Sequence, residues 1–189
     1  MNFAFISGIP ASGKSYLANK VSKEIGIEYI SIDNWREDMR SDSELKKWVE
    51  FFRNQNEEKY WHNTNCEQQW QNLKMQSEAI WPSILARIND IKNSGKATIF
   101  EGVNILPHLA AQDLDFGGIV LLGESFEQNL ERNKLDPRWG DTEELQIQES
   151  EAFWKCERPR YEKEATRYGF KSFSNPDLAE KELLRLLQS

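Results

Sequence analysis

The chain has 189 residues, 29% charged and 39% hydrophobic, with a formal net charge of −7 and a pI of about 5.1. That length fits one domain with a real core and is short for two. The acidic balance argues against a broad nucleic-acid or anionic-membrane surface, though it leaves room for a local basic cleft, and no apolar run approaches the roughly 20 residues a membrane span needs.

Residues 2–7, NFAFIS, read as a short buried strand. Residues 14–25 carry helical spacing through Leu17, Val21 and Ile25, and Gly26 ends them. IEYISID, residues 27–33, alternates as a second strand that ends in Asp33. Residues 42–95 read as almost entirely helical. Leu45, Trp48, Val49 and Phe52 form one stripe, and Trp70, Leu73, Ile80, Ile84, Ile88 and Ile91 another, with Pro82 expected to kink or restart the second helix. KATIF (96–100), GGIVLLG (117–123) and GFKSFS (169–174) are further strands. In the closing helix, NPDLAEKELLRLLQ, Asn175 or Asp177 is placed to cap, with Pro176 near the first turn. Strand alternating with helix predicts a parallel sheet covered on both faces. The helical segment 42–95 and a second segment, roughly 135–168 and rich in Arg, Glu, Trp and Tyr, read as excursions from one core. Cys66 and Cys156 lie far apart and in no metal-ligand spacing. With no leader-like segment or cysteine framework, the expectation is a cytoplasmic protein with reduced thiols.

Between the first strand and the first helix stands Gly8-Ile9-Pro10-Ala11-Ser12-Gly13-Lys14-Ser15, which matches G-x-x-x-x-G-K-[ST] in the strand–loop–helix context that motif requires. Backbone N–H groups that wrap a polyphosphate closely leave no room for side chains at the tight positions. The helix beginning at Lys14 adds its positive end. Lys14 then reaches the β- and γ-phosphates, and the Ser15 hydroxyl is a ligand for Mg²⁺.

The chain is read as carrying no N-K-x-D-like guanine-reading sequence, and no Asp-Glu pair follows an apolar strand, as a motor-type ATPase needs. The third strand runs instead into IFEGVNILP, putting Glu101 at the sheet edge where open α/β sheets bind ligands, placed to orient a Mg²⁺-bound water. Asp33, at the same edge, has two compatible readings: a base for an acceptor hydroxyl, or a helix N-cap. Arg36, three residues on, is positioned to hold an anionic acceptor group. Arg40 reads as a surface charge.

GIPASGKS, SIDNWR and IFEGVNILP together resemble the small P-loop kinases of nucleosides and metabolites. The E-G-V-x-x-x-P run is similar to that of 2-phosphoglycerate kinase-like proteins. The D-x-x-R of Asp33–Arg36 is similar to that of polynucleotide kinases, zeta toxins and chloramphenicol phosphotransferases. The resemblance covers roughly residues 1–36 and 96–189; segment 42–95 matches none of these families. It implies a three-layer α/β P-loop fold with a parallel sheet of about five strands, a helical substrate insertion at 42–95 and a lid region at 132–160. It also implies Asp33 as the base that activates the acceptor hydroxyl.

An arginine-bearing lid is implied after the helix that follows the fourth strand, where ERNKLDPRWGD offers Arg132 and Arg138 to stabilise charge on the transferring group. Arg158, Arg160 and Arg167, interleaved with glutamates, read as i,i+4 surface pairs. By resemblance the adenine of ATP sits against Ser174, Asn175 and Pro176, a stretch equally readable as a helix cap. The aromatics Trp48, Phe51, Phe52, Tyr60, Trp61, Trp70 and Trp81 read as core, or as a stacking surface for an acceptor. His62 lacks a second ligand at metal spacing, and His108 has no assigned role. The implied reaction is Mg²⁺-dependent transfer of the ATP γ-phosphate to a hydroxyl or phosphate of a small molecule. A polynucleotide 5′-kinase and a non-transferring ATP-binding regulator are the alternatives.

Overall fold

The alternation of side chains along the central strands decides the architecture. In β1 (Phe3–Gly8), Phe3 and Phe5 enter one core while Ala4 and Ile6 enter another on the opposite face. The computed structural model describes residues 3–188, so Asn2 of the expected first strand lies outside the described residues. Among them, β2 (Glu28–Ser31), β3 (Thr98–Glu101), β4 (Gly118–Leu121) and β5 (Lys171–Phe173) join β1 in one sheet ordered β2-β3-β1-β4-β5. Every pairing is parallel, and the register sets Ala4 beside Ile99 and Ile6 beside Ile119. Against that face pack α1 (Lys14–Ile25) and α10 (Pro176–Gln188), through Leu17, Val21, Leu183 and Leu187. The other face meets α5 (Cys66–Ser94), α6 (Pro107–Asp113) and α9 (Arg158–Tyr168), through Ile80, Ile84, Ile88 and Tyr161. Each such apolar side chain contributes about 1.5–3 kcal/mol on burial.

The strands fall within one or two residues of their expected ends, and two details differ. β2 stops at Ser31, and α2 (Ile32–Asp38) begins at once, so Asp33 lies in the first turn of a helix rather than at a strand end. There its charge faces the positive helix terminus. Segment 42–95 holds α3 (Lys46–Val49), α4 (Glu57–Asn63) and α5, with turns at 50–55. Pro82 does not restart α5, which runs unbroken over 29 residues from an Asn65–Gln68 capping box. A proline there costs about 3 kcal/mol, and the buried Ile80, Trp81 and Ile84 around it outweigh that.

After β4 come α7 (Phe126–Leu135), α8 (Glu143–Ala152) and a π-helical turn, Phe153–Glu157, that leads into α9. This turn meets the start of α5, where Cys66 and Cys156, 90 positions apart, are joined in a disulfide with Cα atoms 4.7 Å apart. The expected reduced thiols are thus corrected: distance along the chain said nothing of distance in space. Trp70 packs edge-on against Tyr161, with ring centroids 5.3 Å apart, and brings the two segments together. No helix among the described residues is long and apolar enough to cross a membrane.

Candidate active site

The loop from Gly8 to Gly13 turns the chain from β1 into α1 at the carboxyl edge of the sheet. Gly8 is required by space, since a Cβ there would lie 2.0 Å from the Leu121 carbonyl oxygen, and its φ is +133°. Gly13, N-cap of α1, has φ +94°, and Ala11 takes φ 55°, a left-handed conformation that costs a non-glycine residue energy. From α7, Asn129 Nδ2 donates to the Pro10 carbonyl at 2.8 Å and steadies the loop. The Lys14 ammonium folds back to the Ile9 carbonyl at 2.6 Å. Burial brings its pKa down to about 8 against the opposing pull of Glu101 and Asp33.

Ser15 Oγ donates to Glu101 Oε1 at 3.1 Å. Glu101, the last residue of β3, is 2% exposed, and burial pushes its carboxyl up despite Lys14 and the hydroxyls of Ser31 and Ser15. Ser31 pairs with it across the β2–β3 ladder. Asp33 is flanked by Arg138 Nη2 at 3.5 Å and Arg36 Nη1 at 3.9 Å. Burial alone would raise its carboxyl, but the charges of Arg138, Arg36 and Lys14 hold it below the usual range. Arg36 is oriented by Asn104 Oδ1 at 3.3 Å, and Asn104 is itself bonded to Ser77 Oγ at 2.8 Å. Arg132 reaches over the loop, with Nη1 3.5 Å from the Ala11 carbonyl and 3.4 Å from where a Gly13 Cβ would lie.

The loop residues Pro10 to Ser15, Asp33, Arg36, Glu101, Arg132 and Arg138 therefore line one cleft of about 640 Å³. Pro10, Arg36, Arg53 and Arg138 also line a smaller cavity of about 100 Å³ behind it, walled by Phe52, Trp61 and Trp139. The aromatics divide accordingly. Trp70 and Trp81 are 4% exposed core residues, whereas Phe52, edge-on to Trp139, and Trp61, tilted against the same ring, pack around the cavity. Two further lining residues carry no sequence signal, Glu149 of α8 and Glu157 of the π-helical turn. Burial pushes each carboxyl up to about 7.

No family model and no curated protein gives a significant match to this sequence. Solved structures do. Shikimate kinase from Acinetobacter baumannii, in complex with shikimate, aligns over 100% of this chain and 94% of its own, with a TM-score of 0.59 and 15% identity. Deoxyadenosine kinase from M. mycoides, with bound dATP, aligns over 100% of both chains, with a TM-score of 0.50 and 17% identity. The fold is that of the P-loop kinases. At such identities the likeness is one of fold, and the chemistry has to be argued from the residues.

In this P-loop fold, the expected adenine contacts Asn175 and Pro176 stand at the start of α10 and are not among the residues that line the cleft. Asn175 Oδ1 caps α10, accepting from the Asp177 and Leu178 amides, while its Nδ2 donates to Glu124 Oε1 at 2.8 Å. Beside them, Arg158 stacks on Trp154 at 4.7 Å and donates to Ser174 Oγ at 3.1 Å, so it is not the surface pair its glutamate-rich context implied. Trp154 in turn lies close to Gly123, where an added Cβ would meet its ring at 3.5 Å. Arg160 bonds Glu67 of α5 rather than a neighbour on its own helix. The expected absence of a guanine-reading pattern is corrected: at the end of α7, Asn133-Lys134-Leu135-Asp136 matches N-K-x-D. Asn133 is buried and donates to Glu149 Oε2 at 2.8 Å and to the Gln146 carbonyl, so its amide joins α7 to α8. Among the described residues no group of three or more His, Cys, Asp or Glu is arranged to hold a metal.

Proposed function

We propose that the protein is a small-molecule kinase that transfers the γ-phosphate of ATP, with Mg²⁺, to a hydroxyl or phosphate of its acceptor. The observation that carries this is the convergence of Lys14, Ser15, Glu101 and the Asp33–Arg138 pair in one cleft that adjoins a smaller cavity. A phosphate-binding loop alone serves switches and motors equally; a carboxylate flanked by two arginines at the mouth of a second cavity is what a transferase adds.

The loop amides and Lys14 hold the phosphates of ATP. Ser15 Oγ and Glu101 are hard oxygen donors 3.1 Å apart, and a carboxylate raised by burial gains from a nearby dication, so the pair fits Mg²⁺ shared with phosphates and water. When bound there, Mg²⁺ supplies neutralisation of phosphate charge. Asp33 accepts the proton of the attacking hydroxyl as the new P–O bond forms and the bond to the departing ADP breaks. Arg132 and Arg138 balance charge on the moving group, and Arg36 orients the acceptor. The Asp33–Arg36 and Glu101–Pro107 motifs support a place beside the 2-phosphoglycerate kinase-like, zeta-toxin and polynucleotide-kinase types. We read the chain as one kinase domain in which 42–95 shapes the acceptor side and 132–160 forms the lid, with adenine near Ser174–Pro176. A cavity of about 100 Å³ and a net charge of −7 favour a small acceptor over a polynucleotide. The need for ATP argues for the cytoplasm, where Cys66–Cys156 would exchange with cellular thiols.

The test is ADP formation by the purified chain with Mg²⁺ across pooled metabolites, with Lys14→Ala beside it. One pool should raise turnover and yield a phosphorylated product, and Lys14→Ala should lower it by about 10³-fold or more. ATP binding with no pool changing turnover would replace the kinase reading with an ATP-gated binding protein.

A further inference from the structure

The cavity behind the cleft has two chemically different ends. Each arginine lining it already faces a carboxylate: Arg36 and Arg138 face Asp33, and Arg53 Nη2 lies 2.8 Å from Glu37. The two lining glutamates are placed otherwise. Neither forms an ion pair among the described residues. Glu149 is 2% exposed, and its Oε2 accepts only from the neutral amide of Asn133. Glu157 Oε2 is buried with no hydrogen-bond partner among the described residues, a state that costs free energy unless something arrives to satisfy it.

We propose that the acceptor carries an ammonium group, seated between Glu149 and Glu157 and against the rings of Phe52, Trp61 and Trp139. The kinase reading supplies only the pocket's identity as the acceptor site. Carboxylates beside aromatic faces in a small cavity are the surroundings in which a cation gains most, by charge and by attraction to the ring quadrupoles. An anionic group would meet two glutamates there, while on the Asp33 side Arg36 Nε, buried without a hydrogen-bond partner among the described residues, is left to donate to an uncharged oxygen such as a hydroxyl. On the cleft side, beyond Arg36 and Arg138, which line both spaces, Asp33 Oδ1 is likewise buried without a hydrogen bond among the described residues, ready to accept from a hydroxyl. The acceptor class is thus an amino alcohol in the broad sense, cationic at one end and hydroxylated at the other.

The π-helical turn explains why such a site is absent from sequence patterns. Its wide turn sends Cys156 toward α5 and Glu157 into the cavity from adjacent positions. The glutamates also set a pH dependence. Glu157 feels Arg138, Lys14 and Glu149, and Glu149 feels Arg138 and Glu57, yet burial dominates and holds both carboxyls near 7. A cation binds their ionised forms, so affinity should rise as pH passes upward through 7.

The experiment titrates the full chain with choline, with its uncharged isostere 3,3-dimethylbutan-1-ol and with 3-hydroxypropanoate at pH 8, following tryptophan fluorescence. Choline should bind at least about tenfold more tightly than either. Glu157→Gln and Glu149→Gln should each erase most of that preference, with near-ultraviolet circular dichroism checking that the variants fold. Equal binding of choline and its isostere, no binding of either, or a preference that survives in both folded variants would overturn the proposal. ADP formation with a carboxylate-bearing acceptor and indifference to amines would overturn it too, while sparing the kinase reading. A choline preference with no acceptor phosphorylated in any pool would support the ammonium site and remove the kinase reading.

Discussion

The two halves of the candidate site are built in opposite ways. The phosphate side comes from eight consecutive residues, Gly8 to Ser15, completed by Glu101 from the neighbouring strand. The cavity behind it draws Phe52 and Trp61 from the helical segment, Trp139 from the loop after α7, Glu149 from α8 and Glu157 from the π-helical turn. A site whose chemistry is carried by backbone amides needs a contiguous run, because only neighbouring residues can aim several N–H groups at one ligand. A site that selects a molecular shape needs side chains converging from many directions, and those come from distant positions.

If this contrast is right, the halves should fail independently. The largest separation is expected for Asp33→Asn, which keeps the shape and loses the base: kcat should fall about 10²–10⁴-fold with ATP affinity nearly unchanged. Single-turnover kinetics together with calorimetric ATP binding test it, and a matching loss of ATP affinity would show that Asp33 belongs to the phosphate half. Next comes Cys156→Ser or a reductant. Opening a bridge that closes 90 residues removes up to about 4–5 kcal/mol of stability in the chain-entropy account, read as the shift in a urea midpoint. Because the bridge anchors the turn that carries Glu157, acceptor affinity should fall more than ATP affinity; equal losses would mean that the halves are not mechanically separate. The smallest effect is in pH. Lys14, held near 8 by burial, is charged below that value and loses its proton above it, while bound phosphate favours the charged form. ATP affinity should therefore be highest below pH 8 and weaken about tenfold between pH 7 and 9. Acceptor affinity should move the opposite way near pH 7, which sharpens the comparison with two curves from one protein.

What could be read from the residues follows the same division. Phe3, Phe5 and Phe100 alternate with Ala4, Ile6 and Ile99, and that period of two is enough to place a sheet with a core on each face. The phosphate loop was legible because its motif is local and its neighbours on both sides were a strand and a helix. Arg132 and Arg138 could be suspected from their position after the fourth strand, and the structure brings both to the cleft. Asp33 was displaced by one element, from strand to helix, because a β2 of four residues ends sooner than its apolar pattern. The rest was invisible for physical reasons. Asn104 and Asn129 act through single bonds to Arg36 and to the Pro10 carbonyl, 68 and 119 positions away. Pro82 forecast a break that packing overrode. The disulfide, the Arg158–Trp154 stack and Glu157 all depend on one irregular turn, and no residue pattern marks where a helix will widen by a residue.

That turn has a consequence for how the protein can diversify. Each residue of an α-helix advances the next side chain by about 100°, so adding or losing one position between Phe153 and Arg158 would change the phase of everything after it. Trp154 beside Arg158 and Gly123, Cys156 on the bridge and Glu157 in the cavity are served by a single five-residue segment. A one-codon deletion there would not trim the site; it would swap which neighbour each of these side chains faces, while the sheet and the phosphate loop stayed as they are.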